Sequence, residues 1–407
     1  MTDQGLNFLD LFCEIILTKE KPMICPENNN ALSEITEILF NNGMNGLNKA
    51  VAILINEAMR VERNKHLNAE PYERSDQRSD YANGFKDKKL KTRVGEVDLK
   101  IPQVRGCNFY PSFLEKGLRS ERALNSAIAE MYVNGVSTRK VQKIIEQMCG
   151  FDVSSSDVSR ASKSLDEELE KWRKRTLGFC KYLFLDARYE KIRYEGSVID
   201  CAILVALGVG EDGKREVLGV SVKLSEQEAH WRDFLQDLQS RGLHGIELII
   251  SDAHAGLKAA KRAVFPSIPW QRCHFHLQQN AQSYIPKKAL KEEVAFDIRS
   301  IFNAPSQTEA ERLLKIISQK YEKEAPDLSK WMLDNLHEGF TFFNFPVNHW
   351  LKIRTSNVVE RLNREIKRRT SVVGIFPNVA SSERLISAVL LEISEEWQTG
   401  GVYLNIS

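Results

Sequence analysis

Apolar positions along this chain change their spacing several times. In "NGLNKAVAILINEAM" they recur at helical intervals, placing Leu47, Val51, Leu54, Ile55 and Met59 on one face. Residues 1 to about 75 are therefore expected to be mainly helical. "LKTRVGEVDLKIPQVR" alternates instead: Val97, Leu99 and Ile101 are separated by Asp98 and Lys100, as in a half-buried hairpin, with Gly95-Glu96 suited to its turn. Helical spacing then returns. Ser137 can cap a helix running to about Met148 with Val141, Ile144 and Ile145 inward, Gly150 ends it, and one of Ser154 to Ser156 caps the next. From Lys181 the runs become strand-like: "YLFLDARYEKIRY", "DCAILVALGVG" and "REVLGVSVKL", the last two joined by a turn at Gly210, Asp212 and Gly213. A helix follows in "SEQEAHWRDFLQDLQSRG", with Trp231, Leu235 and Leu238 inward and Ser225 with Glu228 as a capping box. Next come a strand over 246–250, a helix over 255–265 and a short strand in "PWQRCHFHL". Residues 277 to about 340 carry helical signals alone, and a last helix begins near Asn357.

This order predicts an α/β fold: a ribonuclease-H-like core with a helical insertion before its last helix, preceded by a mainly helical N-terminal region. The 407 residues divide into a helical region over 1–75, a basic hairpin and helix-turn-helix-like segment over 76–175, a core formed by 176–276 with 350–400, and the insertion over 277–349.

Composition narrows the class only a little. Hydrophobic residues make up 42% and charged residues 28%, as in an ordinary globular protein. A net charge of +2 selects no partner, so local clustering must. No apolar run approaches the roughly 20 residues that span a bilayer. The N-terminus carries Asp3, Asp10 and Glu14 where a secretory signal would be basic and then apolar, and is expected to form a short helix. The seven cysteines are scattered without a CxxC pair, which fits a reducing cytoplasm.

Two strands end on an acid, Asp186 in "YLFLD" and Asp252 in "ELIISD". Each has an ordinary explanation: Arg188 or Lys191 can neutralise Asp186, and Asp252 can cap the helix after it. If the strands are neighbours, both acids meet at one sheet end, where like charges this close cannot both stay ionised without a cation. Mg²⁺ or Mn²⁺ suits such an oxygen cluster, and two ions about 3.5–4 Å apart can serve both the attacking and the leaving oxygen of a phosphate. Glu360 is the candidate third acid, although Asn357 with Glu360 also spells a capping box. At 100° per residue, Val359, Leu362 and Ile366 form that helix's apolar stripe, with Ser356, Glu360, Asn363 and Lys367 along one edge and Glu365 on the other flank. Lys352, Arg354, Arg361, Arg364, Lys367, Arg368 and Arg369 outnumber Glu360 and Glu365 by five, a stripe suited to a phosphate backbone. Lys89, Lys91 and Arg93 make the hairpin basic; Arg139, Ser155, Ser159 and Arg160 lie where a helix-turn-helix would present them to DNA, although tight helix pairs are common without DNA. "RCHFH" offers Cys273, His274 and His276, too few for a structural zinc site; Cys273 and His276 are expected to shape the acid site. Trp331 and Trp350 flank "FTFFNFPVNH", whose aromatics suit a core or a stacked base.

The ordered set Asp186, Asp252, "CHFH" and "TSNVVERLNREIKRRT", with "YANGFKDKKLKTRVGEVDLKIPQVR", "FYPSFLEKGLRSERAL", "MYVNGVSTRKV" and "SSSDVSR" before it, resembles the Mutator-type bacterial insertion-sequence transposases, a branch of the DDE recombinases. The likeness runs from about residue 55 to 400. It implies that Asp186, Asp252 and Glu360 are the catalytic, metal-holding triad and that Cys273 and His276 are the Cys-x-x-His motif. It further implies binding of double-stranded DNA at terminal inverted repeats and in the target. Strand cleavage with two Mg²⁺ (or Mn²⁺) ions, joining of the 3′-hydroxyl to another phosphate, and a homodimer or higher multimer on DNA complete the expectation. Two alternatives stay open: a catalytically silent, transposase-derived DNA-binding regulator, and a structure-selective nuclease that cuts without joining.

Overall fold

A computed structural model describes residues 28–406, apart from Ser75, Asn108, Glu115 and Leu118. The short helix expected at the N-terminus lies outside these residues. The described residues form two compact units, those of 1–124 with 145–152 and those of 125–144 with 153–407.

In the first unit, helices α1 (Asn28–Asn42) and α2 (Leu47–Leu67) precede a hairpin of β1 (Ala82–Thr92) and β2 (Gly95–Val104). Alternation in β2 turns Val97, Leu99 and Ile101 inward, where Met59, Val51 and Ile55 of α2 cover them. Leu54, expected on that face, is exposed instead. The turn is also displaced from Gly95-Glu96. Thr92 pairs with Gly95 across a two-residue loop of Arg93 and Val94, and the hydroxyl of Thr92 donates to the Gly95 carbonyl at 2.8 Å. Gly95 opens the second strand at φ +114°, which a side chain would resist.

Helices α3 (Arg122–Val133), α4 (Thr138–Cys149), α5 (Ser155–Ser162) and α6 (Asp166–Arg173) follow. The hydroxyl of Ser137 accepts the Lys140 amide at 3.3 Å, and Ser154 with Asp157 forms a reciprocal capping box on α5. In the second unit, β3 (Tyr182–Tyr194), β4 (Ser197–Val209), β5 (Arg215–Lys223), β6 (Leu248–Ser251) and β7 (Trp270–Arg272) make one mixed sheet in the order β5-β4-β3-β6-β7. β5, β4 and β3 run antiparallel, while β6 and β7 lie parallel to β3.

The sheet is buried on both faces, and the period-two alternation of each strand feeds two separate cores. Leu183, Leu185, Leu204 and Ile249 meet Trp231, Phe234, Leu235 and Leu238 of α7 (Glu228–Ser240) and Leu257 and Ala260 of α8 (Ala255–Val264). Tyr182, Phe184, Val205 and Ile250 meet Val359, Leu362 and Ile366 of α13 (Asn357–Thr370) and Leu385, Ile386 and Val389 of α14 (Val379–Thr399). Each of the buried Val, Leu, Ile and Phe side chains among them contributes roughly 1.5–3 kcal/mol by leaving water. Between β7 and α13, α9 (His274–Ala281), α10 (Lys291–Phe302), α11 (Gln307–Tyr321) and α12 (Pro326–Asn335) build a third core around Leu277, Ile298, Leu314 and Met332. Trp331 and Trp350 pack on these cores, as does Phe342.

Two expectations need correction. α7 is not capped by a Ser225–Glu228 box: Glu228 is already its first residue, and its N-cap Gln227 makes no side-chain bond. The helix at Asn357 is not the last, since the 21-residue α14 follows it, its cap Asn378 accepting the Ser381 amide at 2.8 Å.

Arg369, counted above in the basic stripe, is buried. It donates to the Val133 carbonyl at 2.9 Å and to Asn134 Oδ1 at 2.8 Å, and it pairs with Glu365 and Glu392. Arg369→Met is therefore expected to lower stability by about 3 kcal/mol, the order seen when one partner of a buried ion pair is removed. The shift in urea midpoint measures it.

Candidate active site

The sheet explains why two acids far apart in the chain stand together. β3 and β6 pair in parallel with Tyr182 opposite Leu248 and Phe184 opposite Ile250. Carrying that register two residues on sets Asp186 level with Asp252 where β6 stops, on the face covered by α13. Asp186 is not at the end of its own strand, since β3 continues beside β4 to Tyr194. Asp252 Oδ1 accepts the His254 amide at 2.7 Å, a local turn made just before α8 begins. Thus its carboxylate takes a backbone amide, as expected, while the N-cap position itself belongs to His254. Asp186 is held by neither Arg188 nor Lys191. Its partner is Asn363 of α13, whose Nδ2 donates to Asp186 Oδ2 at 2.7 Å, while Arg188 is engaged by Glu190 and the Asn363 carbonyl.

Cys273 joins the sheet to α13. It follows β7, and its sulfur accepts from the Ser356 amide at 3.2 Å and the Ser356 hydroxyl at 3.0 Å. Ser356 is the N-cap of α13, so this contact sets where the helix starts and hence where Glu360, one turn on, and Asn363 lie. The Asn357–Glu360 capping box does not form, because Asn357 is already inside the helix. Glu360 is half-buried, and its Oε1 is buried without a hydrogen-bond partner.

His276, one turn into α9, is the charge these acids share. Burial works against its protonated form, but the Cys273 sulfur, Asp186 and Asp252 outweigh burial and raise it to about 9. Burial likewise works against the Cys273 thiolate, yet His276 and Ser356 leave the thiol below its ordinary value. Asp186 is pushed up to about 7, chiefly by burial, with Asp252 and Glu226 adding to the rise and His276 opposing it. Glu360 is also raised, by burial, against the pull of His276. This end of β6 therefore holds more carboxylate than its surroundings neutralise.

Among the described residues, no three His, Cys, Asp or Glu side chains stand at the spacing of an ion's ligand set. The donors nevertheless suit a hard divalent cation: carboxylate oxygens, one of them orphaned in Glu360, which His276 reaches as it reaches the buried Asp186, whose charged form is disfavoured. Without a cation, mutual repulsion favours carboxylates held apart. His274 is committed elsewhere, its Nε2 on the Gly339 carbonyl at 2.7 Å and its ring stacked on Phe302. "RCHFH" is thus no set of three converging ligands.

The remaining candidate residues fall in three places. On the hairpin, Lys89 pairs with Glu96, Arg93 with Glu121, and Lys91 Nζ donates to the Asp152 carbonyl at 2.8 Å. In the second unit, Arg139, Ser155 and Ser159 line one cleft of about 620 Å³ together with Ser137, Arg369 and Arg384; Arg160 lies beside Asp157. On α13, Arg361, Arg364 and Lys367 are exposed, whereas Arg368 is tied to Glu365. Glu365 is held below the usual carboxylate range by Arg368 and Arg369. The role of Asn363 was missed although its helical edge was legible: an amide beside a carboxylate leaves no periodic signal. Glu226, hidden by the supposed capping box, was missed as well.

Similarity to known proteins is extensive. The profile described as "Transposase, Mutator family" matches residues 23–400. The transposase for insertion sequence element IS406 of Burkholderia multivorans is 53% identical over 380 residues, covering 93% of this chain and 98% of that protein. The transposase for ISRM5 of Rhizobium meliloti is 39% identical over 93% of this chain and 95% of its own length. The transposase for IS256 in transposon Tn4001 of Staphylococcus aureus is 37% identical over 84% and 89%.

Proposed function

Because this chain belongs to the Mutator family of transposases, its substrate is DNA, and we propose that it cuts and joins DNA strands at the end of β6, where Asp186 and Asp252 lie level. We read the order β5-β4-β3-β6-β7, covered on both faces by helices, as a ribonuclease-H-like core, and residues 277–349 as a helical insertion in it. The observation that carries the proposal is the in-register placement of the two aspartates beside α13, with His276 the cationic group that both of them face.

In this scheme Asp186, Asp252 and Glu360 hold Mg²⁺ or Mn²⁺. When bound, such ions activate the attacking oxygen and stabilise the leaving one in an in-line displacement. The chain's own residues do the rest. Asn363 fixes the Asp186 carboxylate, and Cys273, through Ser356, fixes the helix that carries Glu360. Arg361, Arg364 and Lys367, exposed along α13, hold phosphates near the acids. Arg139, Ser155 and Ser159, sharing one cleft, read the terminal inverted repeat, with Lys89, Lys91 and Arg93 of the hairpin adding backbone contacts. The reaction joins two ends, so a homodimer or higher multimer acts on DNA.

The test is a duplex bearing the element's terminal repeat, incubated with the protein and Mg²⁺. A shifted band, a metal-dependent nick and joined products are expected together. A shift with no cut indicates the silent regulator, and cut ends without joined products indicate a nuclease. The same assay separates the two glutamates of α13. Glu360→Gln is expected to lose nicking by about 10²-fold or more, whereas Glu365→Gln, whose parent carboxylate serves Arg368 and Arg369, retains it. The reverse order would move the third acid to Glu365.

A further inference from the structure

Glu226 sits in the loop between β5 and α7, in the layer opposite α13. Its side chain is only 11% exposed. Three groups reach it, all at long range: Trp231 Nε1 on Oε1 at 3.3 Å, the Tyr189 hydroxyl on Oε2 at 3.3 Å and His254 Nδ1 near Oε1 at 3.4 Å. Two of the three come from the catalytic strands' own sequence: Tyr189 is three residues beyond Asp186, and His254 two beyond Asp252.

The backbone is built to bring this loop in. Gly256, in the first turn of α8, lies against residues 226–228; a Cβ there would stand 2.7 Å from the Glu226 carbonyl oxygen and 2.8 Å from the Glu228 amide nitrogen. The His230 ring, through Nδ1 on the Ser225 carbonyl at 2.8 Å, anchors the same loop from α7. A carboxylate placed so deliberately and left so poorly compensated is costly, because burial of a charge needs close, strong partners. It does not cap α7, whose N-cap is Gln227. Among the groups facing it, Asp252 raises its proton affinity and His254 lowers it.

Resting on the two-aspartate reading above, we propose that Glu226 is a fourth cation-holding carboxylate, sharing a divalent ion with Asp252 from the layer opposite Glu360. An ion there supplies the positive charge that Trp231, Tyr189 and His254 do not. It also accounts for a loop pressed against α8 at a position where only glycine fits.

The test measures Mn²⁺ binding to the DNA-free protein by calorimetry, then nicking as a function of Mn²⁺. Glu226→Gln keeps the size and an acceptor oxygen for Trp231 Nε1, while its amide NH2 can donate to the Tyr189 hydroxyl. It is expected to weaken Mn²⁺ binding by about 10-fold or more, and to lose nicking that high Mn²⁺ restores. Glu226→Asp, which keeps the charge but withdraws it by one methylene, should fall between, and it serves if the glutamine variant does not fold. His254→Gln, which removes the ion pair but leaves the carboxylate, should bind Mn²⁺ like the parent. If Glu226→Gln binds as the parent does while Asp252→Asn does not, this inference is wrong and the two-aspartate site stands. If Asp252→Asn also binds as the parent, the two-aspartate site itself fails. Equal loss in Glu226→Gln and His254→Gln would reduce Glu226 to a structural partner of His254.

Discussion

Alanine at Asp186 or Asp252 is expected to slow strand nicking by about 10³-fold or more, on the order of losing one member of a catalytic unit. Binding to terminal-repeat DNA in the absence of metal should persist. The two effects separate because the acids are assigned to the ions, whereas the phosphate contacts are assigned to other side chains, Arg361, Arg364 and Lys367 among them, which are exposed. The double variant should be no slower than either single one, since groups that act together on shared ions are not additive. Single-turnover nicking of an end-labelled duplex, with a gel shift in chelator, reads both quantities. Parallel loss of binding in properly folded variants would defeat the separation of roles; surviving cleavage would remove the aspartates from the chemistry altogether.

The change Asp186→Asn is expected to act on stability in the opposite direction, as a gain. In the metal-free protein the buried Asp186 titrates near 7 rather than 3.8. Below the unfolded value both states hold the proton and nothing is lost. Between the two values only the unfolded chain ionises, so stability falls as pH rises, at about 1.4 kcal/mol per pH unit at most. Above the folded value the penalty is complete, no more than about 4 kcal/mol by this bound. The substituted amide still offers an oxygen to Asn363 and carries no charge, so Asp186→Asn should melt higher than the parent at pH 8 and nearly level with it at pH 4. Added Mg²⁺ should raise the melting temperature of the parent and leave the variant unmoved, because ligand binding stabilises only the state that binds. That outcome would place Asp186 among the positions where stability gives way to function, as is common where like charges are gathered for catalysis. A variant that melts lower at pH 8 would mean instead that the Asp186 charge is well compensated without metal.

How much was legible in advance depended on the range of the interaction involved. The hairpin around Val97, Leu99 and Ile101, the caps at Ser137 and Ser154, and the strand that stops just before Asp252 are local features. Each follows from alternation, helical spacing or a hydroxyl meeting nearby amides, and each is present. Asp186, expected at a strand end, lies instead inside β3, which runs on to Tyr194. Turn position at Arg93 and Val94, exposure of Leu54 and the missing cap at Ser225 went the other way. There several local solutions were nearly equal, and packing chose among them.

The sequence by itself determined most of the strands and helices, and that each of two apolar strand runs would lead into an acid, because those outcomes rest on periodicity within a dozen residues. Tertiary structure alone decided which partner each charge received. Asp186 received Asn363 rather than Arg188, Arg369 was buried while Arg364 stayed in solvent, Glu365 was neutralised while Glu360 kept an orphaned oxygen, and Glu226 was carried in from the opposite layer. The physical reason is that a charge responds to everything within several ångströms in space, and the chain's neighbours in space are set only when the sheet register and the helix packing have closed.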